Sequence, residues 1–313
     1  MKSTKLYPLV SVVMNCYNGE KYLREAIDSV ISQTYPNWEL IFWDNLSVDG
    51  SSGIVKSYSD VRIKYYKASE FLNLSPARQR AVEKCSGIYL SFLDCDDIYL
   101  PNNLEVKVEV MRCSNAVLAY SGVKFINEEG AERRKYLPSK KRSADTFESL
   151  LRQFDVAISG LIISNTDRVR KKLNFSEDVV GSTEYDIVMQ MSSQSTCVII
   201  PQYLAKVRVH RKSLTYSLMS HWAADRNITL RRIRKREPGI EKKYKNGFAE
   251  AYARADYYHA RWLVANGRIQ DARSCLHSTL TVDIRYFFLY ASLLFSSRLW
   301  DLIHVFLPSS GRL

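Results

Sequence analysis

Leu9-Val-Ser-Val-Val-Met-Asn-Cys-Tyr-Asn-Gly19 changes character midway. Its first six residues form a short apolar, β-branched run that reads as a buried strand, and Asn15–Gly19 reads as a turn. Tyr22, Leu23, Ala26, Ile27, Val30 and Ile31 then recur at helical spacing, and Tyr35-Pro36 stops the helix. Glu39-Leu-Ile-Phe-Trp43 is a second strand, followed by a polar turn over Asp44–Gly53. Alternation over Arg62–Tyr66 predicts a third strand, Pro76–Lys84 a helix, and Ile88-Tyr-Leu-Ser-Phe-Leu93 a fourth strand. This rhythm means βαβ units and a mostly parallel α/β sheet flanked by helices. Ligands bind such sheets beyond the carboxyl ends of the strands. The residues just past those ends, Asn15–Asn18, Asp44–Asn45 and Asp94–Asp97, are all polar and define the expected mouth.

Further along, strands are expected at Ala116–Val123, Ala157–Ser164 and Cys197–Pro201, with a basic loop at Arg133–Arg142 and a helix starting near Glu184. From about residue 222 the chain reads as helical: Glu250–Val264, a break at Gly267, Gln270–Leu280, and an apolar stretch over 284–307. The expected boundaries are therefore 1–113, 114–221 and 222–313, the last an α-helical appendage.

The 313 residues suffice for about two domains. Lys and Arg number 45 against 33 Asp and Glu, a net charge of +12, but residues 1–110 carry 12 basic and 14 acidic side chains while 111–313 carry 33 and 19. A near-neutral first third joined to a basic remainder points to two jobs. The six cysteines form no Cys-x-x-Cys pair and no zinc spacing, as expected of reduced, mostly buried thiols in a cytosolic protein. Leu9–Met14 is followed by no small-residue cleavage site, which argues against a signal peptide. The most apolar stretch, Tyr286–Phe295, is about half the ~20 residues a spanning helix needs.

Asp94-Cys-Asp-Asp97 sets three carboxylates within four residues at a strand end. Left unpaired they repel, so a cation belongs among them. Clustered oxygen ligands suit Mg²⁺ or Mn²⁺, and Mg²⁺ takes one or two carboxylates plus substrate phosphates. A solvated acidic turn with capping aspartates is the structural alternative. The chemical alternative is a haloacid-dehalogenase-like phosphotransferase using Asp94 and Asp96. There Asp-x-Asp normally opens the domain and continues into a small pair. Here it closes a fourth strand and runs into Ile98-Tyr-Leu-Pro101, which argues against that reading.

Val10-Ser-Val-Val-Met-Asn-Cys-Tyr-Asn18, Tyr22-Leu-x-x-Ala-Ile-x-Ser-Val30, Gln33-Thr-Tyr35 and Glu39-Leu-Ile41 together resemble the inverting glycosyltransferases of family 2. Ala77-Arg78, Phe92-Leu-Asp-Cys-Asp-Asp97 and Val207-Arg-Val-His210 with Ser213 extend the resemblance, which covers about residues 8–215. It implies the GT-A (Rossmann-like) fold, with 1–113 the nucleotide-sugar half and 114–221 the acceptor half. It implies a nucleotide-sugar donor, a glycan or lipid-linked glycan acceptor, and Mn²⁺ or Mg²⁺. Asp96 would be the direct metal ligand and His210 a second-side metal or diphosphate contact, with Asp94 nearer the ribose. Asn15 and Tyr17 would pack against the base, and Arg78 would lie near base and diphosphate, where a fixed guanidinium suits oxygen acceptors. The family commonly has paired aspartates after the second strand; here the pair is Asp44-Asn45. Asn45 can accept the base N–H without charge, so UDP- and dTDP-sugars both remain open. In Gly181-Ser-Thr-Glu-Tyr-Asp-Ile187, the family's acidic-acidic-aromatic-acidic pattern puts Glu184 in the place of the catalytic base and leaves Asp186 a structural role.

The basic tracts Arg133–Lys135, Lys140–Arg142, Arg168–Lys172, Arg231–Arg236 and Lys242–Lys245 read either as a solubilising surface or as attraction to an anionic membrane face. With the apolar 284–307 stretch, the second reading holds a cytoplasmic enzyme against the inner face of the membrane, near a lipid-linked acceptor. Nucleic-acid binding is the rival class; no recognisable nucleic-acid motif is present, so no nucleic-acid partner is expected. The processive Gln-x-x-Arg-Trp signature is absent at its expected place, which points to transfer of one sugar per encounter.

Overall fold

The computed structural model describes residues 7–138, 145–210, 213–295 and 299–302. Lys140–Arg142 and the end of the 284–307 stretch lie outside the described residues. The chain divides into two compact units, one of Met1–Thr146, Val156–Glu177 and Gln194–His210, the other of Phe147–Asp155, Asp178–Ser193 and Arg211–Leu313.

In the first unit the chain runs β1 (Val10–Cys16), α1 (Glu20–Ile31), β2 (Trp38–Asp44), α2 (Ser51–Lys56), β3 (Ile63–Lys67), α3 (Leu74–Val82), β4 (Tyr89–Phe92), β5 (Ile98–Tyr99), α4 (Asn103–Cys113), β6 (Leu118–Ile126) and β7 (Glu132–Tyr136). After α5 (Thr146–Arg152), which leads into the second unit, come β8 (Leu161–Ser164) and α6 (Asp167–Arg170). The second unit's α7 (Thr183–Ser192) then precedes β9 (Cys197–Arg208). The described strands form one sheet in the order β3-β2-β1-β4-β8-β6-β9-β5, with β7 on β6. β1 pairs in parallel with β2 and β4, and β2 with β3, as βαβ connections require. β8 is antiparallel to both β4 and β6, while β6 and β9 are parallel, so the second half of the sheet is mixed. β1 and β2 are buried almost throughout, which is why both read as unbroken apolar runs. Their register sets Met14 beside Phe42 and Cys16 beside Asp44, so the turns that follow emerge side by side.

Several elements differ from the sequence expectation, short ones such as α2, β5, α5 and α6 among them, and three of the differences have a clear physical reason. β9 does not stop at Pro201 but runs to Arg208. The register against β6 shifts on either side of Gly122, opposite Ile200–Ala205, and a proline without an N–H is tolerated at such an irregularity. Glu132–Tyr136, expected as part of a basic loop, is a charged strand pairing with β6, the kind of composition that protects a sheet edge. α4 was hidden because Lys107 interrupts its apolar face. That lysine is fully buried and donates to Ser91 Oγ (3.1 Å), Ser159 O (3.0 Å) and Leu161 O (3.2 Å). Burial pushes its ammonium pKa well below the ordinary lysine value.

At the amino ends of the strands, Glu39 is buried and accepts from Ser11 Oγ (2.6 Å), Ser86 N–H (2.7 Å) and Lys64 Nζ (2.6 Å). Burial alone would raise its pKa, but Lys64, Ser11 and Ser86 together hold it below the ordinary 4.5. A depressed folded value means that the stability it carries is complete above pH 4.5 and is lost as pH falls through the folded value. Glu39→Ala is expected to cost about 3 kcal/mol at neutral pH, since it strands buried donors. Urea unfolding of the pair of proteins should show this gap shrinking below pH 4.5; a gap that stayed constant on acidification would overturn the assignment.

The second unit is helical, as expected. Besides α7 it contains α8 (Leu214–Ser217), α9 (Trp222–Arg236), α10 (Ile240–Lys243), α11 (Lys245–Ala265), α12 (Ile269–His277) and α13 (Ile284–Phe295). Its core gathers Trp222, Tyr257, Tyr258, Leu263, Leu276, Leu289 and Leu293. Gly267, at φ +75°, ends α11 in the left-handed conformation that glycine adopts most easily. Among the described residues no helix is long and apolar enough to cross a membrane.

Candidate active site

The turn after β1 is fastened to the turn after β2 from both sides. Asn18 N–H donates to Ser47 Oγ (3.0 Å), and Asn18 Oδ1 accepts from Val48 N–H (2.9 Å). Glu20 N–H, the first of α1, donates to Asp49 Oδ2 (3.0 Å), while Glu20 Oε2 accepts from Gly50 N–H (2.6 Å). Gly19 packs closely here: a Cβ would lie 2.8 Å from the sulfurs of both Cys16 and Cys95, so α1 begins hard against the acidic turn. All six cysteines are free thiols.

Within this frame Asn15 is partly buried, and its Nδ2 is buried with no hydrogen-bond partner among the described residues. Tyr17 is half exposed, with its ring edge-on to that of Phe71 at 4.9 Å. Asp44 is fully buried, accepting from Ser47 N–H (2.7 Å) and Tyr65 Oη (2.6 Å). Asn45 forms a two-way clasp with Leu72, donating Nδ2–H to its carbonyl (2.7 Å) and accepting its N–H (3.2 Å). This fixes the loop that carries Phe71. The Oδ1 expected to read a base therefore already holds one hydrogen bond, with a second lone pair left.

The three carboxylates after β4 have three different partners. Asp94 Oδ1 accepts from the buried guanidinium of Arg78 (2.9 Å). Burial raises the Asp94 pKa above the ordinary carboxylate value, Arg78 opposes this, and Asp96 adds to it. Asp97 is buried and accepts from Ser159 Oγ and Arg208 N–H (2.9 Å). Burial, then repulsion from Asp96 and Asp94, holds its pKa well above the ordinary value. Asp96 Oδ2 lies 2.9 Å from His210 Nε2, with the two side chains 26% and 13% exposed. That is a hydrogen-bond separation, and it brings together a carboxylate oxygen and an imidazole nitrogen, donor types that a divalent ion such as Mn²⁺ would accept. Among the described residues no group of three or more His, Cys, Asp or Glu side chains could hold a metal unaided.

Arg208, within Val207-Arg-Val-His210, carries a role that the motif alone does not announce. It is buried and donates to the carbonyls of Asp96 (3.0 Å), Asn127 (3.2 Å) and Glu128 (3.0 Å). It also pairs with Glu25 and lies over the Tyr22 ring at 4.4 Å. It thereby ties the end of β9, and with it His210, to the acidic turn. The partners lie far away in sequence, so no local pattern announced them.

Glu184 belongs to the second unit, in the first turn of α7, and is partly buried. The backbone entering α7 is held by Asp225, which accepts from Val180 N–H (3.2 Å) and Gly181 N–H (2.7 Å). Asp186 is buried, taking Thr229 Oγ1 (2.7 Å) and Gln190 Nε2 (2.8 Å), with Arg232 at 3.5 Å. Burial raises its pKa against those partners.

Residues 11–169 match the model of glycosyl transferase family 2. An uncharacterized glycosyltransferase of Methanocaldococcus jannaschii is 30% identical over 233 residues, covering 69% of this chain and 80% of its own. Escherichia coli WfgD, a UDP-Glc:alpha-D-GlcNAc-diphosphoundecaprenol beta-1,3-glucosyltransferase, is 32% identical over 158 residues, or 50% of this chain and 61% of its own. S. aureus TarS, crystallised with UDP-GlcNAc, superposes over 95% of this chain and 90% of that one, with TM-score 0.66 at 14% identity. That likeness gives the GT-A fold. Neither the phosphotransferase nor the nucleic-acid reading is favoured by these matches, and the chain belongs to glycosyl transferase family 2.

Proposed function

We propose that the protein moves one sugar per encounter from a UDP- or dTDP-sugar to an acceptor hydroxyl, with inversion at the anomeric carbon. The acceptor is a glycan or lipid-linked glycan in surface polysaccharide or glycolipid assembly, by analogy with the acceptor named for WfgD. The observation that carries this reading is the division of labour in the acidic turn. Asp94 is paired with Arg78 and Asp97 is committed to Ser159 and Arg208, while Asp96 and His210, hydrogen-bonded to each other at 2.9 Å, offer one oxygen and one nitrogen donor side by side.

In this reading residues 1–113 bind the donor and 114–221 the acceptor. Tyr17 offers an aromatic face to the base, Asn15 an amide, and Asn45 the remaining lone pair of its Oδ1. Arg78 and Asp94 lie by the ribose and diphosphate. Asp96 and His210 would hold Mn²⁺ or Mg²⁺, which when bound neutralises the charge that develops on the departing diphosphate. Glu184 is the base that takes the proton from the acceptor hydroxyl. The chain works on the cytoplasmic face of the membrane as a peripheral protein. Ile284, Phe287, Phe288, Leu294 and Phe295 support this: they form an exposed apolar stripe on α13, opposite the buried Tyr286, Leu289 and Leu293.

A panel of nucleotide sugars, scored by hydrolysis and by thermal stabilisation with and without Mn²⁺, tests the donor assignment. Uracil or thymine nucleotides should stabilise the protein, more so with Mn²⁺. Preference for a purine nucleotide, or stabilisation by none of the panel, would overturn it.

A further inference from the structure

The segment Arg231–Lys245 carries eight basic and two acidic side chains. The structure folds it into an open cleft of about 760 Å³ where α9 ends, Pro238-Gly239 reverses the chain and α10 leads into α11. Arg231, Arg234, Lys235, Lys242 and Lys245 line it. Its two acids are already occupied, Glu241 by Arg234 (2.6 Å) and Glu237 by Ser193 Oγ (2.7 Å) and Arg236 (3.5 Å). Lys235, Lys242 and Lys245 are exposed and, among the described residues, have neither an ion pair nor a hydrogen bond. Gly239 sits in the lining with φ +90° and nothing within 4 Å of a would-be Cβ. Several like charges converging on one concavity repel one another, and an anion bound there would relieve that repulsion.

We propose that this cleft is a phosphate-binding site for the headgroups of an anionic phospholipid surface, and that it seats the helical unit on the membrane. The inference rests on the peripheral-contact reading given above. Two observations select lipid over the other polyanions. No aromatic ring lines the cleft, whereas a single-stranded nucleic-acid site combines its basic groove with stacking platforms. The same unit also presents the apolar stripe of α13, which a nucleic acid would leave in water and an acyl boundary would cover. Charge and apolar surface thus call for one partner that offers both phosphates and hydrocarbon.

The test uses the full chain with vesicles of phosphatidylcholine alone and of phosphatidylcholine mixed with phosphatidylglycerol. Binding should need the anionic lipid and weaken steeply with salt. The triple variant Lys235→Gln/Lys242→Gln/Lys245→Gln should bind anionic vesicles roughly 100-fold more weakly at low salt, with an unchanged melting temperature and unchanged turnover of a nucleotide sugar. Phe288→Gln/Phe295→Gln should instead remove the part of the binding that survives high salt. Undiminished vesicle binding by the triple-lysine variant would overturn the proposal. So would equal binding to phosphatidylcholine alone, saturation by inorganic phosphate without preference for vesicles, or tighter binding to an oligonucleotide. Failure of the donor panel would leave these vesicle results standing, so the two readings fall separately.

Discussion

Asp96→Ala should lose sugar transfer by roughly 10³-fold or more, the equivalent of about 4 kcal/mol of transition-state charge stabilisation. Neither neighbouring carboxylate can take its place. Asp94 is held by Arg78 at 2.9 Å, and Asp97 is buried against Ser159 and Arg208. The fold should survive, because the Asp96 side chain is partly exposed and, among the described residues, its side-chain hydrogen bond runs to His210. Its unfolding free energy should therefore fall by no more than the ~1 kcal/mol of a partly exposed ion pair. Asp97→Ala makes the contrast. It strands a buried serine and a buried backbone N–H, so it should cost about 3 kcal/mol of stability and lose activity by unfolding. Wild-type enzyme in chelator should fall to the level of Asp96→Ala, and adding Mn²⁺ back should rescue only the wild type. Wild-type turnover by Asp96→Ala in chelator would refute the metal assignment.

The half of the sheet that builds the mouth was legible because its strands are buried on both faces. Val10–Met14, Glu39–Trp43 and Tyr89–Phe92 are apolar enough to announce themselves, and the turns that follow each strand carry the polar residues. The other half was less legible for identifiable reasons. Glu132–Tyr136 has charges on both faces and gains its strand geometry only from pairing with β6. Lys107 sits in the apolar stripe of α4 because Ser91, Ser159 and Leu161 receive its ammonium, a condition set by distant chain. Pro201 signals a strand end, and only the irregular pairing with β6 carries β9 onward to Arg208.

The site divides the same way. Asp94 and Asp96 stand out as a carboxylate cluster after a strand, and Arg78 could be named by motif. The Arg78–Asp94 pair, the Arg208 hub and the Asn45–Leu72 clasp are long-range contacts, spanning 16 to 183 residues. No periodicity or local spacing encodes them. Phe71 escaped notice for a related reason: a lone exposed aromatic in a loop gains meaning only once Asn45 fixes Leu72 and sets the Phe71 ring against Tyr17.

The substitution that separates chemistry from binding is Glu184→Gln. Of the two acids near the start of α7, Asp186 is 1% exposed and committed to Thr229, Gln190 and Arg232, while Glu184 is only partly buried. Tyr185 between them is buried beneath the Arg226 guanidinium at 4.0 Å, which fixes the rotation of the helix and turns its neighbours away from it. A base must reach an acceptor hydroxyl that arrives from solution, and a carboxylate only 1% exposed is closed off from it. Glutamine keeps the size and hydrogen bonding of Glu184 but cannot take a proton. Turnover should fall roughly 10²–10⁴-fold with little change in donor affinity. Asp186→Asn should keep most of the turnover and lower the melting temperature instead, since it weakens the tie between α7 and α9. Steady-state kinetics with the donor saturating, beside thermal melts of both variants, decides between the two roles. An active Glu184→Gln together with a folded but inactive Asp186→Asn would reverse them.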